Sequence, residues 1–351
     1  MALVQFEVQS ALQPYKQTSV VQETKFLEQP LYQLTGHKGA VNECHFSPDG
    51  NILATCAGEV ILWSLRNGEV KSLGALRPHK SPITSQCWNI DGTRFATSSA
   101  DHTVAVQDTE TGQIERRFKD HKDIVNTVIF LRESPNIVVS GDDSGYVIAN
   151  DLRQSTKIAS IKSKSPVTCL SLIKGDKISV AGVCGSIFVD NINGSVFKTN
   201  HRLNCQSIVF GTAVHPNGKY LAANESNATL TLFSIQDYFP NQDRIISQVS
   251  NGNPIKDIVP PRTAWSPDGK FVMSGSTDYL LRIWDVESLS APSLVYSLPG
   301  HKGTVTGCDF HPQLPIIASC STDMCIHVCK LGQDRPIKTF QGHTVRSLSP
   351  S

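Results

Sequence analysis

The sequence has no run of about eighteen apolar residues, the length a membrane-crossing helix needs. Its opening, MALVQFEVQSALQPYK, lacks the basic start and apolar block of a secretory leader. These gaps predict a soluble, non-secreted chain with no membrane partner, which discounts the glycosylation sequons at Asn193, Asn224 and Asn227. The ten cysteines form no CxxC pair, and several end strand-like runs such as ILATC and PIIASC. They read as reduced core residues rather than a disulfide framework. Neither sign of charge is in surplus: 32 Lys and Arg against 31 Asp and Glu leave +1. No global field draws in nucleic acid or an acidic membrane, so any basic surface must be sought by position. There is no Gly-rich phosphate loop, no HExxH and no nucleophile elbow, and the chain is read as a non-enzyme without a cofactor.

What the sequence does have is a repeat. A His followed four residues later by an apolar residue occurs at His37 (GHKGAV), His79 (PHKSPI), His121 (DHKDIV) and His301 (GHKGTV), the first three forty-two residues apart. One more step reaches Ser163 in SKSPVTCLSL, where Val167 keeps the apolar offset. NHRLNCQSIVF near His201 and the run before AWSPDG are looser copies, and His343 stands forty-two residues after His301. The count is seven units and a fragment. Within a unit, short alternating runs are separated by turns such as SPDG (47–50), IDG (90–92), HPNG (215–218) and SPDG (266–269). That pattern predicts an antiparallel, all-β array. A second turn holds Asp101 (SADHTV), Asp278 (STDYLL) or Asp323 (STDMCI), and with the repeat His, a strand hydroxyl and an aromatic ring such an Asp satisfies a buried polar network.

The series GH, SPDG, STD and RIWD (Arg282 to Asp285) resembles the WD-repeat (WD40) family over about residues 30–331. The resemblance implies a seven-bladed β-propeller, with four-stranded blades around a central channel. Residues 1–29 are then an N-terminal extension, and 332–351 a C-terminal tail with an extra strand. It also implies a structural tetrad involving His37, His79, Asp101, His121, Asp278, Trp284, His301 and Asp323, with Ser98 or Ser99 as the hydroxyl of the second blade. Where the family places Trp, only Trp63 and Trp284 comply; Gln107, Asn150, Asp190, Phe233 and Cys329 fill the other slots. Gln107 is expected to join its blade's hydrogen bonds. Such propellers usually close with the first strand of the chain, for which Pro30 to Leu34 is the candidate, in competition with Pro336 to His343.

Metal is not assigned. Cys320, Cys325, His327 and Cys329 are the best candidates, yet same-face residues on a strand stand about 6.8 Å apart, too far for one tetrahedral ion to gather them. One feature exceeds the generic pattern: Lys38, Lys80, Lys122, Lys164 and Lys302 each follow the repeat His position, with Arg202 a sixth if the fifth unit aligns at His201. In a ring these cations encircle one mouth of the channel. They are either an inherited solvated loop residue or a docking ring for an acidic protein surface or RNA phosphates.

The runs ADHTVAVQDTETGQ, DYFPNQDR, AWSPDGKFVMSGSTD and YSLPGHKGTVTGCDFHPQLPIIASCSTD are similar to the WD-repeat subunits of the spliceosomal U5 small nuclear ribonucleoprotein. That resemblance implies a nuclear, noncatalytic scaffold in pre-mRNA splicing, present as a single copy in a hetero-complex. It would dock on the large U5 scaffold protein, with the U5 GTPase and helicase and other spliceosomal proteins nearby. A rival reading, a substrate receptor of a cullin-type ubiquitin ligase, rests on NDLR at Asn150 to Arg153, a partial match to a Trp-Asp-x-Arg motif.

Overall fold

Each SPDG-type turn reverses the chain because its side chains supply the bonds that the backbone gives up. Ser47 Oγ donates to Asp49 Oδ1 at 2.6 Å, and Asp49 Oδ1 accepts the Asn51 N–H at 3.1 Å. Ser266 and Asp268 repeat the arrangement. Gly50 closes its turn at φ +76°, and a Cβ there would meet the His311 ring at 2.2 Å. His311 Nε2 in turn bonds Gly50 O at 3.0 Å, so the last blade is stapled to the first through this glycine.

The computed structural model describes residues 21–24, 31–66, 70–193, 196–236, 244–252 and 261–331. All regular structure there is antiparallel strand, apart from single-residue turns, and it forms seven sheets. The chain is a seven-bladed β-propeller, with blades at residues 43–76, 83–118, 125–162, 167–204, 209–250, 263–298 and 305–330. Blade 2 shows the plan, inner to outer: Ile83–Trp88, Arg94–Ser99, Val104–Asp108 and Ile114–Phe118. The middle strands are buried on both faces, while the outer strand begins exposed. Apolar residues therefore meet between blades. One core cluster joins Ala318, Cys320, Ile326 and Val328 of blade 7 to Leu53, Ile61 and Trp63 of blade 1.

Leu31–Thr35 pairs with Cys325–Lys330 and completes the seventh blade, and Leu34 is fully buried in that same cluster. Val21–Thr24 adds a fifth strand outside it. The competing strand at Pro336 to His343 and the rest of the expected tail lie outside the described residues, as does most of the expected extension.

A second device links the blades. The residue after the first apolar position of the inner strand donates its side-chain hydrogen to the next blade: Asn42 Nδ2 to Ile83 O at 2.6 Å, Asn126 Nδ2 to Val167 O at 2.9 Å, and Thr168 Oγ1 to Val209 O at 2.6 Å. Thr84 bonds Val125 O and Thr306 bonds Val41 O in the same way. Phe210 and Pro261 hold this position in blades 5 and 6 and carry no side-chain donor.

Candidate functional site

Strand pairing places Trp63, Gln107, Asn150, Asp190, Phe233, Trp284 and Cys329 at equivalent points, each opposite the second residue of the neighbouring strand. Around these slots the polar networks are built, and they differ from blade to blade.

In blade 2, His79 Nδ1 donates to Asp101 Oδ2 at 3.0 Å and Nε2 meets Thr97 Oγ1 at 2.9 Å. Gln107 Nε2 donates to the same hydroxyl at 3.3 Å, the place taken in blade 1 by Trp63 Nε1, 3.0 Å from Thr55 Oγ1. The hydroxyl is therefore Thr97, which corrects the expectation of Ser98 or Ser99. Pleat parity sends Ser98 to the other face, where it meets Thr84, while Ser99 shares the face of Thr97 but is used by the turn, bonding Pro82 O and the Asp101 N–H. Burial lowers the pKa of His79 although Asp101 opposes it, so the ring is neutral, with its proton on Nδ1.

Blade 3 has the same triad from His121, Asp142 (2.7 Å) and Ser140 (2.7 Å), and Asn150 turns away to donate to Asp120 at 3.1 Å. Blade 7 has His301, Asp323 (3.1 Å) and Ser319 (2.9 Å), with His301 stacked on His327 at 3.9 Å. Asp323 sits at about 2: burial raises it, but the His301 bond and the Lys302 N–H outweigh burial. Burial also depresses His327, next to His301, to about 4.

The remaining blades depart. In blade 1 Thr55 faces Ile61 where Thr97 faces Ala105, so the turn is two residues shorter and no Asp reaches His37. His37 keeps its bond to Thr55 Oγ1 at 2.8 Å, its Nδ1 is unpaired, and burial lowers its pKa to about 4. In blade 6, Asp278 is not part of a histidine network, contrary to expectation; it pairs with Arg282, whose Nη1 lies 3.1 Å from Oδ1. The His position there is taken by Asn251, bonded to Ser274 Oγ at 2.9 Å, and Trp284 packs in the apolar cluster with Leu232 and Trp265. In blade 5 Glu225 replaces the Asp and accepts from Gln206 N at 2.9 Å and Thr231 Oγ1 at 2.6 Å. Asp142, Glu225 and Asn251 escaped the sequence reading.

The same carboxylates set the basic positions. Asp101 accepts the Lys80 N–H at 3.1 Å and Asp323 the Lys302 N–H at 2.7 Å, which fixes the loop backbone beside each blade and leaves the side chain in solvent. Lys38, Lys80, Lys122, Lys164 and Lys302 are all exposed, on equivalent loops of blades 1, 2, 3, 4 and 7. Arg202 is not a member of the ring. It lies within the outer strand Val196–Asn204 opposite Phe188 and bonds Ser186 Oγ at 2.8 Å. The equivalent of Lys80 in blade 5 is Gln206, three residues before Val209 as Lys80 is before Ile83, and its N–H meets Glu225 as that of Lys80 meets Asp101. The ring is thus an arc over five adjacent blades, covering roughly 200° of a seven-fold circle.

The channel holds charges that the repeat does not predict. Arg262 of blade 6 reaches across it: Nε lies 3.5 Å from Glu43 Oε1, Nη1 donates to Thr168 O at 3.3 Å and Nη2 to Asn126 O at 3.2 Å. Its guanidinium thus touches blades 1, 3 and 4 and bridges the lumen. His45 lies 3.4 Å from both Glu43 and Asp309. Burial works against both charges, yet Arg262 and His45 hold Glu43 at about 2, and Glu43 and Asp309 raise His45 well above its ordinary value. A cavity of about 630 Å³ is lined by these groups and by Pro48, Pro216, Pro267 and Pro312.

The WD domain, G-beta repeat, matches residues 28–64, 70–108, 249–285 and 292–330, the regions of blades 1, 2, 6 and 7. Over 90% of this chain and 87% of the relative, it is 31% identical to the U5 small nuclear ribonucleoprotein 40 kDa protein of Dictyostelium discoideum. It is 30% identical to the human protein of that name over 85% of this chain and 82% of the relative. It is 29% identical to the pre-mRNA-splicing factor cwf17 of Schizosaccharomyces pombe over 89% and 91%. The chain belongs to the WD-repeat family, in the group that contains the U5 small nuclear ribonucleoprotein 40 kDa proteins.

Proposed function

We propose that this propeller is a noncatalytic scaffold of the U5 small nuclear ribonucleoprotein that acts in pre-mRNA splicing. It docks, as one copy, on the large U5 scaffold protein in the nucleus, with the GTPase and helicase close by. The observation that carries the reading is the match to splicing relatives along nearly the whole chain, rather than along one or two repeats. The geometry agrees with it. The His and Asp side chains of blades 2, 3 and 7 are committed to one another and to strand hydroxyls, as a structural network requires. What the molecule offers to solvent is a rigid ring of loops, one face of which carries the five-lysine arc, suited to an acidic protein surface.

The test is purification of a tagged full-length copy from nuclear extract and identification of its companions. Recovery of U5 proteins with U5 RNA is the expected result. Recovery of cullin-ligase components instead would favour the rival reading, and recovery of neither would overturn the scaffold assignment.

A further inference from the structure

The turns between the second and third strands lie on the same face as the lysines, and in blades 2 to 7 each holds a residue with left-handed backbone. In blades 3 and 4 this residue is glycine, Gly145 (φ +87°) and Gly185 (φ +65°). A Cβ at either would come within 2.8 Å of Ser165 O or 2.9 Å of Ser207 O, in the loop that follows. Blades 2 and 5 place His102 (φ 67°) and Ala228 (φ 63°) there, and blades 6 and 7 the larger Tyr279 (φ 68°) and Met324 (φ 66°). Bulky side chains are disfavoured in this region, and such outliers collect at binding sites. Both side chains stand largely in solvent at the rim, Tyr279 47% and Met324 46% exposed.

Lys302 stands between them. Its N–H donates to Asp323, the residue before Met324, at 2.7 Å. Three residues on, the Val305 N–H donates to Ser276 O at 3.1 Å, in the turn that carries Tyr279. Loop 301–305 is thus tied to both turns, which place Tyr279 and Met324 on either side of the loop that carries the first lysine of the arc.

We infer that Tyr279 and Met324 are the apolar anchors of a protein-docking patch on this rim, and that its occupant is an acidic protein segment bearing an apolar side chain. The apolar group seats between the two anchors, while carboxylates follow Lys302, Lys38 and Lys80. Exposed aromatic and Met side chains beside a row of exposed cations suit such a segment. Single-stranded RNA fits less well, because it asks for a series of stacking rings along the basic track. The turns beside the other lysines present Gly58, His102, Gly145 and Gly185, a single ring among four.

This inference rests on the scaffold reading, and the experiment separates the two. Full-length wild type, Tyr279→Gly, Met324→Gly and the double variant are compared for melting temperature and for recovery of the U5 assembly from nuclear extract. A photo-crosslinking phenylalanine derivative in place of Tyr279 reports what lies against the patch. The double variant is expected to melt no lower than wild type, since glycine tolerates the turn, yet to recover at least tenfold less assembly. The crosslink is expected to join an acidic protein segment. Full recovery by the double variant, a melting loss that parallels the binding loss, or a crosslink to RNA alone would overturn the patch. If wild type itself recovers no U5 assembly, the scaffold reading fails, and the patch stands or falls on whether the crosslink still reaches an acidic protein segment.

Discussion

Thr97 shows how one methyl-for-hydroxyl exchange probes a whole network. Its Oγ1 meets His79 Nε2 at 2.9 Å and accepts from Gln107 at 3.3 Å, and it is fully buried. Thr97→Val keeps the volume and strands both partners, so we expect a loss of about 1–3 kcal/mol in urea unfolding with an unchanged m-value. An unchanged midpoint would mean the three groups are not coupled. Two histidines give a pH signature. His37 and His327 are both held near 4 by burial, against 6.5 when exposed. Between those values the unfolded chain binds more protons at these two sites, so their contribution is complete above about pH 6.5 and is lost as the pH drops toward 4, whereas His45, raised in the fold, loses its contribution only as the pH rises above about 6.5. Glu43 and Asp323, each held to about 2 when folded, add their own loss only below roughly pH 4.5. A melting temperature that stays flat from pH 6.5 to 4.5 would contradict the assigned burial. At this scale the sequence showed most of the network His and Asp residues, but neither the pleat that turns Ser98 away nor the turn that takes up Ser99 and leaves Thr97 as the hydroxyl. Nor did it show Asp142, which leaves the strand two residues after the network hydroxyl Ser140, where Asp101 follows Thr97 by four.

Among the elements, the strand Leu31–Thr35 has the widest consequence, because it joins the start of the described propeller to its last blade. Leu34 is wholly buried against Cys320, Ile326 and Trp63 of two blades. Leu34→Ala is expected to cost about 2–5 kcal/mol, read as a drop in melting temperature; a loss below 1 kcal/mol would show that the closure does not depend on this side chain. Turns and blades were legible because SPDG chemistry and the forty-two-residue period are local and recurrent. Arg202 was misplaced for the opposite reason. The outer strand of blade 4 runs nine residues, from Val196 to Asn204, and carries His201 and Arg202 inside it, so a spacing match fell on a strand instead of a loop. The linking Asn and Thr residues did leave a signal, in VN, IT, VN, VT and VT beginning at Val41, Ile83, Val125, Val167 and Val305, but its purpose depends on the neighbouring blade.

The whole molecule is a ring whose two distinguishing features are a bridged channel and an arc of cations. Arg262 and Glu43 are a mostly buried pair, 12% and 8% exposed. Removing one partner leaves the other charge uncompensated, so Arg262→Met is expected to destabilise by about 3–5 kcal/mol, and adding Glu43→Gln to recover part of it. Additive losses in that double-mutant cycle would show that the two do not interact. The bridge was invisible in the sequence because its partners come from four blades, whereas the arc was visible as five lysines in register. We propose that this arc docks the propeller in its assembly. Its most direct test is recovery of the U5 assembly by a full-length chain carrying Lys38→Glu, Lys80→Glu and Lys122→Glu, across stepped salt. These exposed substitutions should leave the fold intact, lower recovery at least tenfold, and flatten its dependence on salt. Wild-type recovery with wild-type salt dependence would contradict the claim.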